Sequence, residues 1–474
     1  MPALVALAAV LALVGVWVWW LHRTHPELHW DWSKVDPSKP KLPKGFLFGA
    51  ATSAHQVEGN MPDNNWTRFE ASVDAEGRPR IKGGERAGEA CDHYRRFRED
   101  LDRVKSLGLS AYRFSVEWSR VEPRPGEYDE EELAHYREVV QACRERGLEP
   151  MVTLHHFTNP GWFDDLGGFE DPANVGHFVR FSKRVFAELS DRVTLWATIN
   201  EPNVFVVQGY LFGIFPPGVM SLSRAARAYW GLLRAHTEVY RELKSMPNGD
   251  RASIGLVMTL FQLDPWRRYS PIDWVAARVG SGFFNDAALR YLKTGVFEVG
   301  IRGWRRFVRE DNRGRGAGDF LGLNYYSHVR VTVGWLKPYL SARYRPGEVM
   351  TDMPYAEYPE GFYRALKSAA EVGLPIYVTE NGIADARDDR RERFIERYLH
   401  AMARAIEDGV DVRGYFYWSL LDNFEWSEGY GMRFGLYEVD YSTQERRLRK
   451  GSEALVRAVA VHRGGWMGAG TDEG

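Results

Sequence analysis

The chain has 474 residues, 44% apolar and 27% charged, enough to bury a large core, and its formal net charge of −2 excludes the basic surface of a nucleic-acid binder. Its two cysteines, Cys91 and Cys143, have no CxxC spacing and no His neighbour, so neither a zinc site nor a disulfide framework is implied, and a reducing compartment suits them. Aromatic residues, at 14% with 17 Trp, are the unusual feature, because sugar sites, cores and membrane interfaces all recruit such rings.

From Ala3 to Leu21 no residue is charged, and the run ends in Trp17-Val18-Trp19-Trp20. At about 1.5 Å per helical residue it nearly spans a hydrocarbon core of about 30 Å. A cleaved signal peptide would have basic residues in front, a shorter apolar core and a small-residue cleavage site; the terminal Trp cluster fits an interfacial anchor better. Residues 1–22 are therefore expected to be a single-pass transmembrane anchor, with residues 3–21 in the membrane. Arg23, Lys34, Lys39, Lys41 and Lys44 follow the span and nothing basic precedes it, so the positive-inside rule puts the rest of the chain on the cytoplasmic side. Residues 23–43 are polar, and Pro26, Pro37, Pro40 and Pro43 make them an extended tether.

Residues 44–463 show alternating strands and helices with no linker between them, the pattern of one α/β domain. Strands are expected at Phe46–Thr52, Ala111–Ser115, Glu149–His155, Leu195–Asn200, Ala252–Met258, Phe320–Tyr326, Leu374–Thr379 and Gly414–Ser419. Helices are expected at Asp92–Leu107, Glu130–Arg146 and Gly451–Val461, and a disordered tail at 464–474. Arg113, at a strand centre, must be paired if it is buried. The adjacent His155 and His156 face opposite ways on a strand and have no third ligand at useful spacing, so no metal is expected. Leu260–Phe284 is more aromatic than a lip loop requires. It either packs on the barrel or forms a membrane-dipping lip that accepts a lipid aglycone.

Two of the strands end on a carboxylate: Leu195-Trp196-Ala197-Thr198-Ile199-Asn200 runs into Glu201-Pro202, and Leu374–Thr379 runs into Glu380-Asn381-Gly382. A glutamate there is poor core material, but the C-terminal strand end is where a (β/α)8 barrel carries its catalytic side chains. Two of them, each beside an asparagine, suggest the carboxylate pair of glycoside hydrolysis.

Thr198-Ile199-Asn200-Glu201-Pro202 resembles the acid/base motif of family 1 glycoside hydrolases, the β-glucosidase family, and Thr379-Glu380-Asn381-Gly382 resembles its nucleophile motif; the resemblance runs from about Pro43 to about His462. It implies a single-domain (β/α)8 TIM barrel and a retaining β-glycosidase that needs no cofactor, with Glu201 as acid/base and Glu380 as nucleophile. It also implies a sugar site of Gln56, His156, Asn200, Asn324, Tyr326, Trp418, Glu425 and Trp426, with Arg113 and Tyr326 supporting the nucleophile. Phe157 departs from the family's usual Trp. Branches that take 6-phosphorylated sugars replace the acidic residue at Glu425 by a small one and carry a Lys and a Tyr where this chain has Met432 and Phe434, so a neutral sugar is expected; a phosphate beside Glu425 would be repelled. Glucose, galactose and fucose remain open, as do the aglycone and the oligomeric state. One alternative is a membrane-anchored transglycosylase moving a glycosyl unit between glycolipids, since an anchored member of the family does so. A non-catalytic sugar-binding protein is disfavoured, because both glutamates are present.

Overall fold

The computed structural model describes residues 2–300, 306–333 and 340–464. Short runs of β-branched and aromatic residues form eight parallel strands: β1 (Leu47–Ala51), β2 (Ala111–Ser115), β3 (Glu149–Thr153), β4 (Leu195–Asn200), β5 (Ser253–Thr259), β6 (Phe320–Asn324), β7 (Ile376–Asn381) and β8 (Val412–Trp418). They close in sequence order, and β1 meets β8 in register from Leu47↔Gly414 to Ala51↔Trp418. The barrel is therefore a (β/α)8 barrel, as its alternating pattern predicts.

An apolar helix, α1 (Pro2–Thr24), precedes the barrel. The helices between and after the strands include α2 (His93–Ser106), α3 (Glu130–Glu145), α4 (Val175–Leu189), α5 (Leu222–Ser245), α6 (Pro271–Ser281), α7 (Ala287–Thr294), α8 (Pro359–Ala370), α9 (Arg391–Glu407) and α10 (Glu453–His462). Strand ends differ by a residue or two from the expected ones. β3 stops at Thr153 and β6 at Asn324, whereas β7 continues through Glu380 to Asn381.

The barrel interior is a packed plug of Ala111, Met151, Leu195, Phe320 and Phe416. Glycines make room for its two rings: a Cβ on Gly49 would stand 2.5 Å from the Phe416 ring, and one on Gly255 would stand 2.6 Å from the Phe320 ring. Truncating either ring to Ala would cost about 3–5 kcal/mol, through lost burial and the cavity left behind. The plug seals the lower end of the barrel, so a ligand has access only from the C-terminal ends of the strands.

Leu260–Phe284 is not a lip loop. Gln262–Pro265 pairs with His328–Val333, which pairs with Leu340–Arg343, making a small sheet beside the mouth. On α6, Ala276 and Ala277 pack inward with Val331, as the first of the two expectations has it, while Ile272 and Val275 are exposed.

By length and composition α1 fits either a membrane anchor or a signal sequence. The tether is not a free spacer. Glu27 pairs with Arg345 at 2.9 Å, and the Trp30 backbone N–H and the Trp32 indole N–H both donate to Glu360 Oε1, at 2.8 and 3.1 Å. Aromatic and acidic residues among the prolines therefore strap residues 27–32 to the barrel wall. Apart from Gly464, the expected disordered tail lies outside the described residues.

Candidate active site

The residues singled out at strand ends meet at one mouth. Backbone register slips where the key side chains leave the strands: between Ala197 and Asn200 on β4, and after Val378 on β7. Such irregularities re-aim a side chain, and here they turn Asn200-Glu201 and Glu380-Asn381 into the cleft. Glu201 also adopts a left-handed backbone, φ 47°, as do Trp426 at φ 50° and Phe157 at φ 68°, so three residues of this mouth hold a strained conformation. Gly382 serves close approach: a Cβ there would lie 1.8 Å from the Trp418 carbonyl oxygen. The Asn-Gly pair thus does not end the strand in a turn, since Asn381 still belongs to β7.

Glu380 is held by charge and by hydrogen bonds. Arg113 donates to its Oε1 at 2.6 Å, and the Tyr326 hydroxyl donates to its Oε2 at 2.6 Å. All three nitrogens of the buried guanidinium are engaged, reaching also the Thr153 hydroxyl at 3.1 Å, the Thr379 carbonyl at 3.1 Å and Asn200 Oδ1 at 2.7 Å. That satisfies the pairing its position demands.

Glu201 has a different setting. Its Oε1 accepts from the Asn324 amide at 2.7 Å and from the Thr259 hydroxyl, both neutral donors. Asn324 also reaches the other strand end, where its Oδ1 accepts from the Thr379 hydroxyl, next to Glu380, at 2.6 Å. Burial and then the charge of Glu380 push the Glu201 carboxyl up to about 8. Burial also raises Glu380, but Arg113 and the Tyr326 hydroxyl oppose it. Two neighbouring carboxyls pushed apart in this way are suited to opposite protonation states at neutral pH.

The remaining predicted residues surround this pair. Gln56 donates to Asn423 Oδ1, to the Phe424 carbonyl and to Glu425 Oε2, at 3.0, 3.0 and 3.3 Å. Glu425 stays partly open to the cleft, and burial followed by the charges of Glu380 and Glu201 raises it to about 8. Asn200 donates to His156 Nε2 at 3.1 Å, so the His156 proton sits on Nδ1, which is buried and has no protein partner. Burial and then the Arg113 charge keep this ring well below its usual pKa, hence neutral. An unpaired buried donor at a cleft is a ready contact for a hydroxyl oxygen.

The His156 ring lies near-parallel to both Trp418 and Trp426, with centroids at 5.8 and 6.1 Å. Phe157 meets Trp426 edge-on at 5.2 Å, so the smaller ring is packing against that indole. His155 points the other way, among Phe169, Phe178 and Phe205. Among the described residues, no group of three His, Cys, Asp or Glu side chains is placed to hold a metal ion.

Sequence reasoning missed Thr259, Thr153 and Asn423. Thr259 had a usable signal, because it ends β5 as Asn200 ends β4. The expected strand stopped one residue short of it.

The fold closes a barrel around buried, strand-terminal carboxylates, and this defines an O-glycoside hydrolase. The family described as Glycosyl hydrolase family 1 matches residues 38–464, and the chain belongs to it. It is 34% identical over 433 residues to Beta-glucosidase A of Thermotoga maritima, covering 86% of this chain and 95% of that protein. A beta-glycosidase structure from Pyrococcus horikoshii superposes with a TM-score of 0.78 at 39% identity, covering 89% of this chain and 95% of that one. The beta-glucosidase from Thermotoga maritima in complex with castanospermine gives 0.80 at 31%, covering 89% and 99%. The matched region begins after α1 and most of the tether.

Proposed function

We propose that the protein hydrolyses β-glycosides of neutral, unphosphorylated sugars with retention of configuration. A Glu380 oxygen bonds to the anomeric carbon as the bond to the leaving oxygen breaks, and the Glu201 carboxyl gives that oxygen its proton. A water then attacks the anomeric carbon, passes its proton to Glu201 and breaks the ester to Glu380. This chemistry calls for a carboxyl separation of about 5–5.5 Å. The observation that carries the reading is the asymmetry of the pair: Glu380 is paired with Arg113, while Glu201 is raised to about 8 among neutral donors. Gln56, His156, Glu425, Trp418 and Trp426 hold the sugar, and Met432 and Phe434 offer a phosphate no cation.

The test is Glu201→Ala with an aryl β-glycoside carrying a good leaving group. Turnover should stall on the glycosyl-enzyme, and azide should restore it with formation of the β-glycosyl azide. No rescue, or an α-configured product, would remove Glu201 from the role.

We also assign α1 as an uncleaved anchor with the barrel on the cytoplasmic side. Support comes from its uncharged length and from Arg23, Lys34, Lys39, Lys41 and Lys44, which follow it. Intact mass of the membrane-extracted protein, with protease access in sealed right-side-out vesicles, checks both; a mass lacking α1 defeats the anchor.

A further inference from the structure

Among the described residues outside α1, twelve large apolar side chains are exposed, and nine of them sit on the connections leaving the neighbouring strands β4, β5 and β6. Phe212 (62%), Met220 (81%), Ile272 (57%) and Val275 (63%) are among them. These connections form one arc of the mouth. Glu201 directly follows β4 and accepts from Thr259 of β5, so on the proposed mechanism the leaving group departs toward this arc. A wall of rings runs inward from it, Phe284 to Phe261 at 5.8 Å, Phe261 to Tyr355 at 6.2 Å and Tyr355 to Tyr326 at 6.4 Å, ending at Glu380.

The same arc receives the end of α1. The Trp17 indole donates to the Tyr269 carbonyl at 3.1 Å, and His22 pairs with the Tyr269 hydroxyl at 3.1 Å. Trp17 stacks on Trp20 at 5.2 Å, Trp20 meets His25 at 4.9 Å, and His25 meets Trp274 of α6 at 4.8 Å. Residues 5–16 of α1 are exposed and run free of the barrel. An aromatic belt at the end of an apolar span marks the headgroup level of a bilayer. Here the belt is built jointly by α1 and the α6 connection, which fixes α6 at that depth, and Ile272 and Val275, three residues apart, give it an apolar outer face.

We propose that the chain meets the bilayer twice, through α1 and through the Tyr269–Val275 face, so that the leaving-group side of the cleft opens onto the membrane. Its substrates are then β-glycosides whose aglycone is a lipid. This rests on the reading of Glu201 as acid/base, which identifies the leaving-group side.

The experiment uses full-length protein in vesicles. Cys91 and Cys143 are buried, and burial pushes the Cys143 thiol up to about 12, so a bimane label on Val275→Cys is selective. Lys105→Cys, in the last turn of α2 at the opposite end of the barrel, is the control. With nitroxide-labelled phospholipid, label at 275 should be quenched and label at 105 should not. No quenching at 275 overturns the proposal, and if the protein is then dimeric the face belongs to a second copy. In parallel, Ile272→Asp/Val275→Asp should lose about fivefold or more in turnover of a β-glucosyl lipid embedded in vesicles while keeping kcat/KM on a soluble aryl β-glucoside. Unchanged lipid turnover, or equal loss on both substrates, overturns the substrate class. Failure of the wild type on soluble aryl β-glucoside, β-galactoside and β-fucoside alike would instead defeat the glycosidase reading itself.

Discussion

The ends of β4 and β7 carry the same side chain in opposite surroundings. Glu380 faces a guanidinium and a phenol, Glu201 a hydroxyl and an amide. Burial acts on both, so the difference in proton affinity comes from the partners: Arg113 favours the charged form on β7, and Glu380 itself opposes it on β4. Chemical identity therefore says little about role in a buried site, and the neighbouring strands decide it.

The largest effect should come from Glu380→Gln, which keeps shape and removes the anion. We expect kcat to fall by about 10⁴-fold or more, with no glycosyl-enzyme detectable by intact mass. Near-normal turnover would end the distinction between the two strand ends. Arg113→Gln should lower kcat/KM by about 10²–10³-fold and move the acidic limb of its pH profile upward, because the cation that opposes burial at Glu380 is gone. Arg113→Lys, which keeps the charge, should restore part of both; a drop with no shift of the limb would indicate a merely structural role.

In the wild type, kcat/KM should decline above about pH 8, where Glu201 loses the proton it must donate. Thr259→Val removes a hydrogen bond that stabilises the Glu201 carboxylate and should push that limb higher, with a loss of only about tenfold at neutral pH. A downward shift would mean that Thr259 does not act on Glu201.

The smallest effect is on stability. Because the folded carboxyl of Glu201 is raised from 4.5 to about 8, the folded state binds its proton more tightly, and stability declines as pH rises through that interval. Glu201→Gln should therefore raise the melting temperature at pH 8, by at most a few kcal/mol of folding free energy, and give no gain at pH 4. A gain that is independent of pH would point to packing instead.

Much of this site was legible in the chain. A glutamate following a run of β-formers announces itself because no core tolerates it, and Arg113 in the middle of β2 could be read as needing a partner for the same reason. Thr259 and Asn423 were not legible, since a threonine or asparagine is as common in turns as in sites, and their meaning comes from what lies across the barrel. The tether shows the same limit. Its prolines are visible in sequence, but Trp30 and Trp32 find Glu360 only once α8 is in place.

The sequence by itself determined the strand–helix alternation, the barrel and the two carboxylates, because hydrophobic period and strand-end chemistry are local properties. Tertiary structure alone decided that Asn324 reaches both strand ends, that Arg113 sits on Glu380 and not on Glu201, and that α1 ends on α6. Each of these depends on the field or the surface of residues distant in the chain, and only chain closure brings them within a few ångströms.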